Sequence, residues 1–280
     1  MAKMPIGLCN APSTYQRLMT SGLQGLNGRI CLAYLNDFIV FSKRRANHIA
    51  DLQTVLDRIR DAGLKLKPAK CNLFCEQMLS FGHVISATGI TPDPAKLRVL
   101  ANWPIPTIVR ELQSFLGFVS FYNEFIDEQT ALTSSLYDLT AARKGTESVQ
   151  FLPAHVEAFN EIRRRLCATP RLAHPNLDAP FTLYTDASKI AIGAVLFQRD
   201  VTGVERVISF CSKIISSAQR NYSTFERECL AIVCAFEHFR VYLFARPFRL
   251  RTDHRALQWL FSKERKASAR ISGWLATLME

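Results

Sequence analysis

Between residues 180 and 254 the chain passes through an order of elements that few folds can house. PFTLYTDAS, IAIGAVLFQ and GVERVISFCSK each read as β-runs, the last two joined by the turn RDVTG. A long helix is expected from Thr224 to Phe244, then a fourth strand, PFRLRTDH, and a further helix near Ala256 to Phe261. Three strands, a helix, a strand and a helix specify a mixed sheet with helical cover. The first and last strands both end in aspartate, Asp186 and Asp253, and each aspartate follows a threonine. If those strands lie side by side and parallel, both carboxylates leave the sheet at one edge, where ligands of such sheets bind.

The intervening stretch NYSTFERECLAIVCAF offers two glutamates, and their spacing separates them. Ser223 followed three residues later by Glu226 fits a capping box, in which the glutamate returns to the cap amide. Glu226 therefore has a sufficient structural task. Glu228 lies beside Cys229 on a helix whose apolar members include Ile232, Val233 and Phe236. A carboxylate so close to a buried stripe is costly unless something pairs with it. Asp186, Glu228 and Asp253 together could hold divalent cations, and such clusters suit phosphodiester hydrolysis with two magnesium ions roughly 3.5–4 Å apart. The plain alternative is that the aspartates cap turns and Glu228 is solvated.

The remaining sequence sets the context. At 280 residues the chain is long enough for about two domains. A net charge of +11 favours an anionic partner, nucleic acid before membrane. No apolar run approaches the roughly 18–20 residues that cross a bilayer, and Met1 to Asn10 lack the layout of a secretion signal. The eight cysteines are scattered; Cys31, Cys229 and Cys234 sit in apolar runs, and Cys71 and Cys75 have no second pair at zinc spacing. A reduced, cytoplasmic or nuclear protein is expected.

Helices are expected at Ala11 to Gly22, at Ala46 to Ala62 with apolar positions Ile49, Leu52, Val55, Leu56 and Ile59, at Val109 to Phe125, and at Ala154 to Cys167. LKLKPAKCNLF and LSFGHVIS read as strands, and TPDPAKLRVLANWPIPT and TPRLAHPNLDAP as proline-bearing transitions. Lys65, Lys67 and Lys70 are candidates to track phosphates or to guard an edge strand. Phe115, Phe118, Phe121, Tyr122 and Phe125 fall at core spacing on a helix. In RICLAYLNDFIVFSKR, Ile30 to Tyr34 and Phe38 to Phe41 flank Asn36-Asp37, the pair expected to form a hairpin turn. Asp37 is the first acidic residue of the chain.

An ordered series of motifs resembles the Pol polyprotein of gypsy-type LTR retrotransposons, a reverse transcriptase followed by RNase H. MPIGLCNAPSTYQRLM resembles that family's MPFGLxNAPxxFQ segment, and YLNDFIVFS its YLDDIIVFS. LKLKPAKCNLF and FGHVIS resemble later palm segments, NWPIPTIVRELQSFLGFVSFY the thumb, and LYTDAS, NYSTFERECLAIV and LRTDHRALQWL the RNase H segments.

The resemblance implies an α+β fold: a partial polymerase palm of helices and antiparallel strands over 1–90, a helical thumb or connection over 91–170, and an RNase H-like domain over 171–280, truncated at its C-terminus. It implies RNA, DNA and RNA–DNA hybrids as partners, no membrane, and magnesium or manganese as cofactor. By it, Asp186, Glu228 and Asp253 are catalytic metal ligands, and Asp37 is the corresponding residue of the palm. Tyr34 and Asn36 flank Asp37 at the tip, Gly7, Asn10 and Pro12 fall near nucleotide and template, and His254 is placed to touch substrate.

Departures from the family pattern qualify those activities. Asn36 stands where the first of two tip aspartates belongs, and residues 1 to 35 contain no acidic side chain to supply a third. A charge pair at about 4 Å is worth roughly 4 kcal/mol at an effective dielectric of 20. Each absent carboxylate then costs on the order of a thousandfold in metal retention. Polymerisation by this chain alone is not expected, and a partner chain or remaining Pol segments would be needed to complete the palm. The family's fourth RNase H acid lies in a later segment, so weak or absent hybrid cleavage is expected. A non-enzymatic nucleic-acid-binding remnant is the competing class.

Overall fold

The computed structural model describes residues 8–254, Leu257 and residues 271–274. The chain divides into two compact units between Phe74 and Cys75.

In the first unit, helix α1 (Ala11–Gly22) and helix α2 (Arg45–Asp61) cover a two-stranded antiparallel ribbon, β1 (Cys31–Tyr34) and β2 (Asp37–Val40). Met19, Leu23, Cys31, Val55 and Ile59 form its core. Ile49, expected on the buried stripe of α2, is 65% exposed. The hairpin differs from expectation by one position. Tyr34 pairs with Asp37, so the two-residue loop is Leu35-Asn36 and Asp37 opens β2. Leu35 takes a left-handed φ of 48°, which a leucine seldom adopts unaided. Its amide donates to Oε1 of Gln16 at 2.6 Å, and Gln16 Nε2 donates to the Ala33 carbonyl at 3.3 Å. A helix side chain thus sets a turn that turn propensity alone places one residue later.

LKLKPAKCNLF is not a strand. Pro68 has no amide to give to a ladder, and Pro68–Lys70 closes instead as a single 3₁₀ turn with Lys65, Lys67 and Lys70 exposed. LSFGHVIS, in the second unit, is a hairpin rather than one strand: β3 (Gln77–Ser80) and β4 (His83–Ser86) meet through Phe81-Gly82, both at positive φ, and β5 (Gly89–Pro92) adds a third antiparallel strand.

Helices α3 (Pro94–Ala101), α4 (Val109–Phe121), α5 (Gln129–Asp138) and α6 (Pro153–Cys167) then pack around Leu112, Phe115, Phe159 and Ile162. The helix expected to reach Phe125 ends at Phe121 and tightens to a 3₁₀ turn over Asn123–Phe125. That break lets Tyr122, itself buried, donate its hydroxyl to the Gly82 carbonyl at 2.8 Å. Phe115, Tyr122 and Phe125 are core residues as expected, whereas Phe121 is 53% exposed. Arg163 donates to the Leu100 and Ala101 carbonyls at the end of α3, and Arg164 and Arg165 pair with Glu161. Those guanidiniums hold the Glu161 carboxyl down at about 2.

The last part is a four-stranded sheet of order β8-β7-β6-β9: β6 (Phe181–Ala187), β7 (Ala191–Arg199), β8 (Glu205–Ile214) and β9 (Phe248–Arg251). Only the β6–β9 pair of this sheet is parallel. Helix α7 (Thr224–His238) covers one face through Ala235 and Phe236. The long helix expected to Phe244 breaks at the buried Phe239, and α8 (Arg240–Leu243) follows. The helix expected near Ala256 to Phe261 lies, apart from Leu257, outside the described residues.

Gln198, 5% exposed on β7, fastens the proline-bearing stretch to the sheet. Its amide donates to the Asn176 and Ala179 carbonyls at 2.7 and 2.8 Å and accepts from the Asn176 amide at 2.8 Å. Gln198→Ala removes the side-chain partner of the Asn176 amide and the Ala179 carbonyl, while the Asn176 carbonyl keeps the Ala179 amide at 3.1 Å. It should lower stability by about 1–3 kcal/mol in a urea unfolding series. A loss below about 0.5 kcal/mol would show that the fastening is not structural.

Candidate metal-binding carboxylate site

Three elements bring three carboxylates together. Parallel pairing aligns β6 with β9, Tyr184 opposite Arg251, so Asp186 on β6 and Asp253 just beyond β9 come out at the same sheet edge. Helix α7 supplies the third. Its start is set by the capping box: Ser223 Oγ accepts from the Glu226 amide at 3.2 Å, and Glu226 Oε2 accepts from the Ser223 amide at 3.0 Å. Burial of Cys229 and Ile232 then turns Glu228 inward.

One oxygen from each of Asp186, Glu228 and Asp253 lies within 4.8 Å of the others. Asp186 and Asp253 are exposed, whereas Glu228 is only 4% exposed. Burial, then the charges of Asp186 and Asp253, push the Glu228 carboxyl up to about 7 against the pull of the Ala187 amide and Arg227. Glu228 Oε2 is buried with no hydrogen-bond partner. Thr185 Oγ1 and Arg227 Nε, on residues adjoining Asp186 and Glu228, share that condition. A buried, unanswered carboxylate oxygen facing two more carboxylates is a donor set for a divalent cation: hard, anionic and oxygen-only. His254 is half-buried; its amide donates to Thr252 Oγ1 at 3.2 Å, and its ring lies 5.9 Å from that of Phe225 on α7.

The ribbon of the first unit is different. Tyr34, Asn36 and Asp37 are all exposed. Among the described residues, the only group of three His, Cys, Asp or Glu side chains close enough to share an ion is Asp186, Glu228 and Asp253. Asn10 precedes α1 and its carbonyl accepts from Ser13 Oγ at 3.0 Å; Pro12 sits in the first turn. Gly7 lies outside the described residues. Sequence reasoning missed Gln16 as the residue that holds the ribbon tip, because a glutamine on an exposed-looking helix carries no local signal for a contact 19 residues away.

Residues 1–152 match the family model for reverse transcriptase (RNA-dependent DNA polymerase), and residues 176–280 match that for the RNase H-like domain found in reverse transcriptase. The chain is 35% identical over 278 residues to the retrovirus-related Pol polyprotein from transposon 297 of Drosophila melanogaster, covering 99% of this chain and 26% of the relative. The polyprotein from transposon gypsy of the same fly is 33% identical, covering 97% and 27%. The transposon Tf2-3 polyprotein of Schizosaccharomyces pombe is 30% identical, covering 99% and 21%. The chain thus spans about a quarter of the length of these curated relatives. The solved foamy viral protease-reverse transcriptase in complex with RNA/DNA hybrid shares the fold, with a TM-score of 0.82 at 20% identity over 99% of this chain and 38% of that one. Its complex with dsDNA gives 0.81 at 20% identity, over 100% and 58%. Both matched families depend on divalent metals, and the acidic cluster is where such an ion fits.

Because the folded-state pKa of Glu228 lies above its unfolded value, its contribution to stability is complete below about pH 4.5 and is lost as pH rises through about 7. Glu228→Gln should flatten that fall and stabilise the metal-free chain at pH 8 by on the order of 2–3 kcal/mol, read by thermal melts in EDTA across pH 4–8. Parallel melting curves for the two proteins over that range would refute it.

Proposed function

The chain belongs to the reverse transcriptase family and carries an RNase H-like domain, and from that premise we propose that its Asp186–Glu228–Asp253 cluster hydrolyses the RNA strand of RNA–DNA hybrids. The single observation that carries this reading is the convergence of the three carboxylates around a buried oxygen that nothing in the fold answers.

Asp186, Glu228 and Asp253 would hold the metal, magnesium or manganese. Bound as a pair, such ions supply the positive charge that activates water and stabilises a leaving oxygen. The chain's own part is to prepare the place. Asp186 and Asp253 open outward to a substrate strand, while Glu228 closes the inner wall. The capped first turn of α7 fixes Glu228 against rotation, and the Ala187 amide orients its carboxylate. Without a cation Glu228 keeps its proton up to about pH 7, so metal loading displaces a proton and favours neutral to alkaline pH. His254, at the rim, is placed to meet the substrate.

For the ribbon we propose a relic of a polymerase turn. Tyr34, Asn36 and Asp37 keep its outline, with Gly7, Asn10 and Pro12 assigned by family likeness to nucleotide and template contacts. Asn36 offers a carbonyl oxygen but no charge, so Asp37 is left to hold ions that water competes for. The division at about residues 90 and 170, and residence in a cytoplasmic or nuclear retroelement particle, belong to the same reading. A second reading, binding without catalysis, is favoured by the net charge of +11 together with Asn36.

A labelled RNA–DNA duplex incubated with the chain and magnesium should be cut slowly, and Asp186→Asn or Glu228→Gln should reduce the rate at least 100-fold. A primed RNA template run alongside should show no extension. Duplex left whole in both magnesium and manganese, yet bound in EDTA, would establish the binding-only reading instead.

A further inference from the structure

We infer that Arg249 and Arg251 form a phosphate track that leads one nucleic-acid strand to the carboxylate cluster; the inference rests on the function proposed for that cluster. In the parallel register of β6 and β9, Thr182 lies opposite Arg249 and Tyr184 opposite Arg251. Paired residues share a face of the sheet, and the intervening pair, Leu183 and Leu250, points into the core beneath α7. Both arginines therefore stand on the face turned away from α7, and both are exposed.

The spacing suits a repeating anion. Side chains two residues apart on one face of a strand are separated by about 6.6 Å, a step comparable with that between successive phosphates on a nucleic-acid strand. Arg249 and Arg251 stand at that interval on β9. Asp253 follows two residues beyond the strand's end, and Asp186 follows Tyr184 by two residues on β6, so the row of cations leads towards the cluster.

Arg251 is held ready. Its guanidinium lies over the Tyr184 ring, 5.2 Å from the centroid, and meets the Glu205 carboxylate at 3.2 Å. Tyr184 donates to Glu205 at 3.1 Å and stands edge-on to Phe197 of β7, with ring centroids 5.0 Å apart. Arg199 also reaches Glu205, at 3.3 Å. Arg199 and Arg251 thus share one acidic neighbour, Glu205, and Arg249 enters no ion pair among the described residues. The face carries a positive excess over an aromatic floor, which matches a phosphodiester backbone. Continuity with the cluster favours that occupant over an acidic protein segment.

Arg249 is the residue to change, since it is exposed and its side chain enters no hydrogen bond or ion pair among the described residues. Anisotropy of a labelled RNA–DNA duplex is measured with the whole chain in EDTA while potassium chloride is varied. Arg249→Ala should weaken binding several-fold at low salt and reduce the slope of log K against log salt by about 1, with Arg249→Lys restoring most of the loss. An unchanged slope overturns the track, as does a wild-type chain that does not bind the duplex, or a polyglutamate peptide that senses the substitution when the duplex does not. Cleavage separates the two readings. An Arg249-dependent slope without magnesium-dependent cutting keeps the track and removes the hydrolytic reading; cutting with an Arg249-independent slope does the reverse.

Discussion

The parallel pairing of β6 with β9 is the constraint from which the candidate site follows. In an otherwise antiparallel sheet, strands that run the same way need a connection crossing back over the sheet. Here β7, β8 and α7 together form that connection, and α7 lies on the sheet as it returns. The crossing has two effects at once. It sends both terminal aspartates to one edge, and it lays a helix across that edge with Glu228 on its inner side. An antiparallel β9 would have placed Asp186 and Asp253 at opposite ends of the sheet, with no common point for a third carboxylate to reach.

Two buried polar side chains in the same sheet region show what separates a structural group from a chemical one. Gln198 is buried, and its donors and acceptor all find backbone partners. Glu228 is buried to the same degree, yet one oxygen has no partner and its neighbours are of like charge. A core selected for stability alone avoids the second arrangement, since an unanswered buried acceptor costs about 1–3 kcal/mol. Violations of that rule concentrate where a ligand supplies the missing interaction.

Legibility in the sequence followed the range of the forces involved. The order of strands and helix from Phe181 to Arg251 was readable because alternation and 3.6-residue periodicity are local. The choice of Glu228 over Glu226 was readable for the same reason: the capping box is a four-residue signal and appears as expected. What escaped was set at a distance. The turn at Leu35-Asn36 is held by Gln16, and the break after Phe121 accompanies a bond from Tyr122 to Gly82, 40 residues away in the chain. Strand β5 and helices α3 and α5 are short, although α3 opens on a local cap, Asp93 accepting from the Ala95 amide at 2.8 Å with Pro94 in the first turn. Alternating leucine and lysine make LKLKPAKCNLF imitate a strand, while Pro68 has no amide for a ladder and opens a 3₁₀ turn instead.

The contrast between the carboxylate cluster and the ribbon tip comes down to surroundings as much as to residue count. At Asp186, Glu228 and Asp253, one wall is the packed side of α7, so attraction for a cation acts through a medium of lowered effective dielectric. A unit pair at 4 Å gains roughly 4 kcal/mol at an effective dielectric of 20 and about 1 kcal/mol in bulk water. Asp37 stands in the second condition, exposed at the mouth of a two-stranded ribbon beside an uncharged Asn36. Restoring an aspartate at position 36 would add a charge without adding the wall. Shape at the tip is therefore a weaker guide to chemistry than the buried, unanswered oxygen of Glu228.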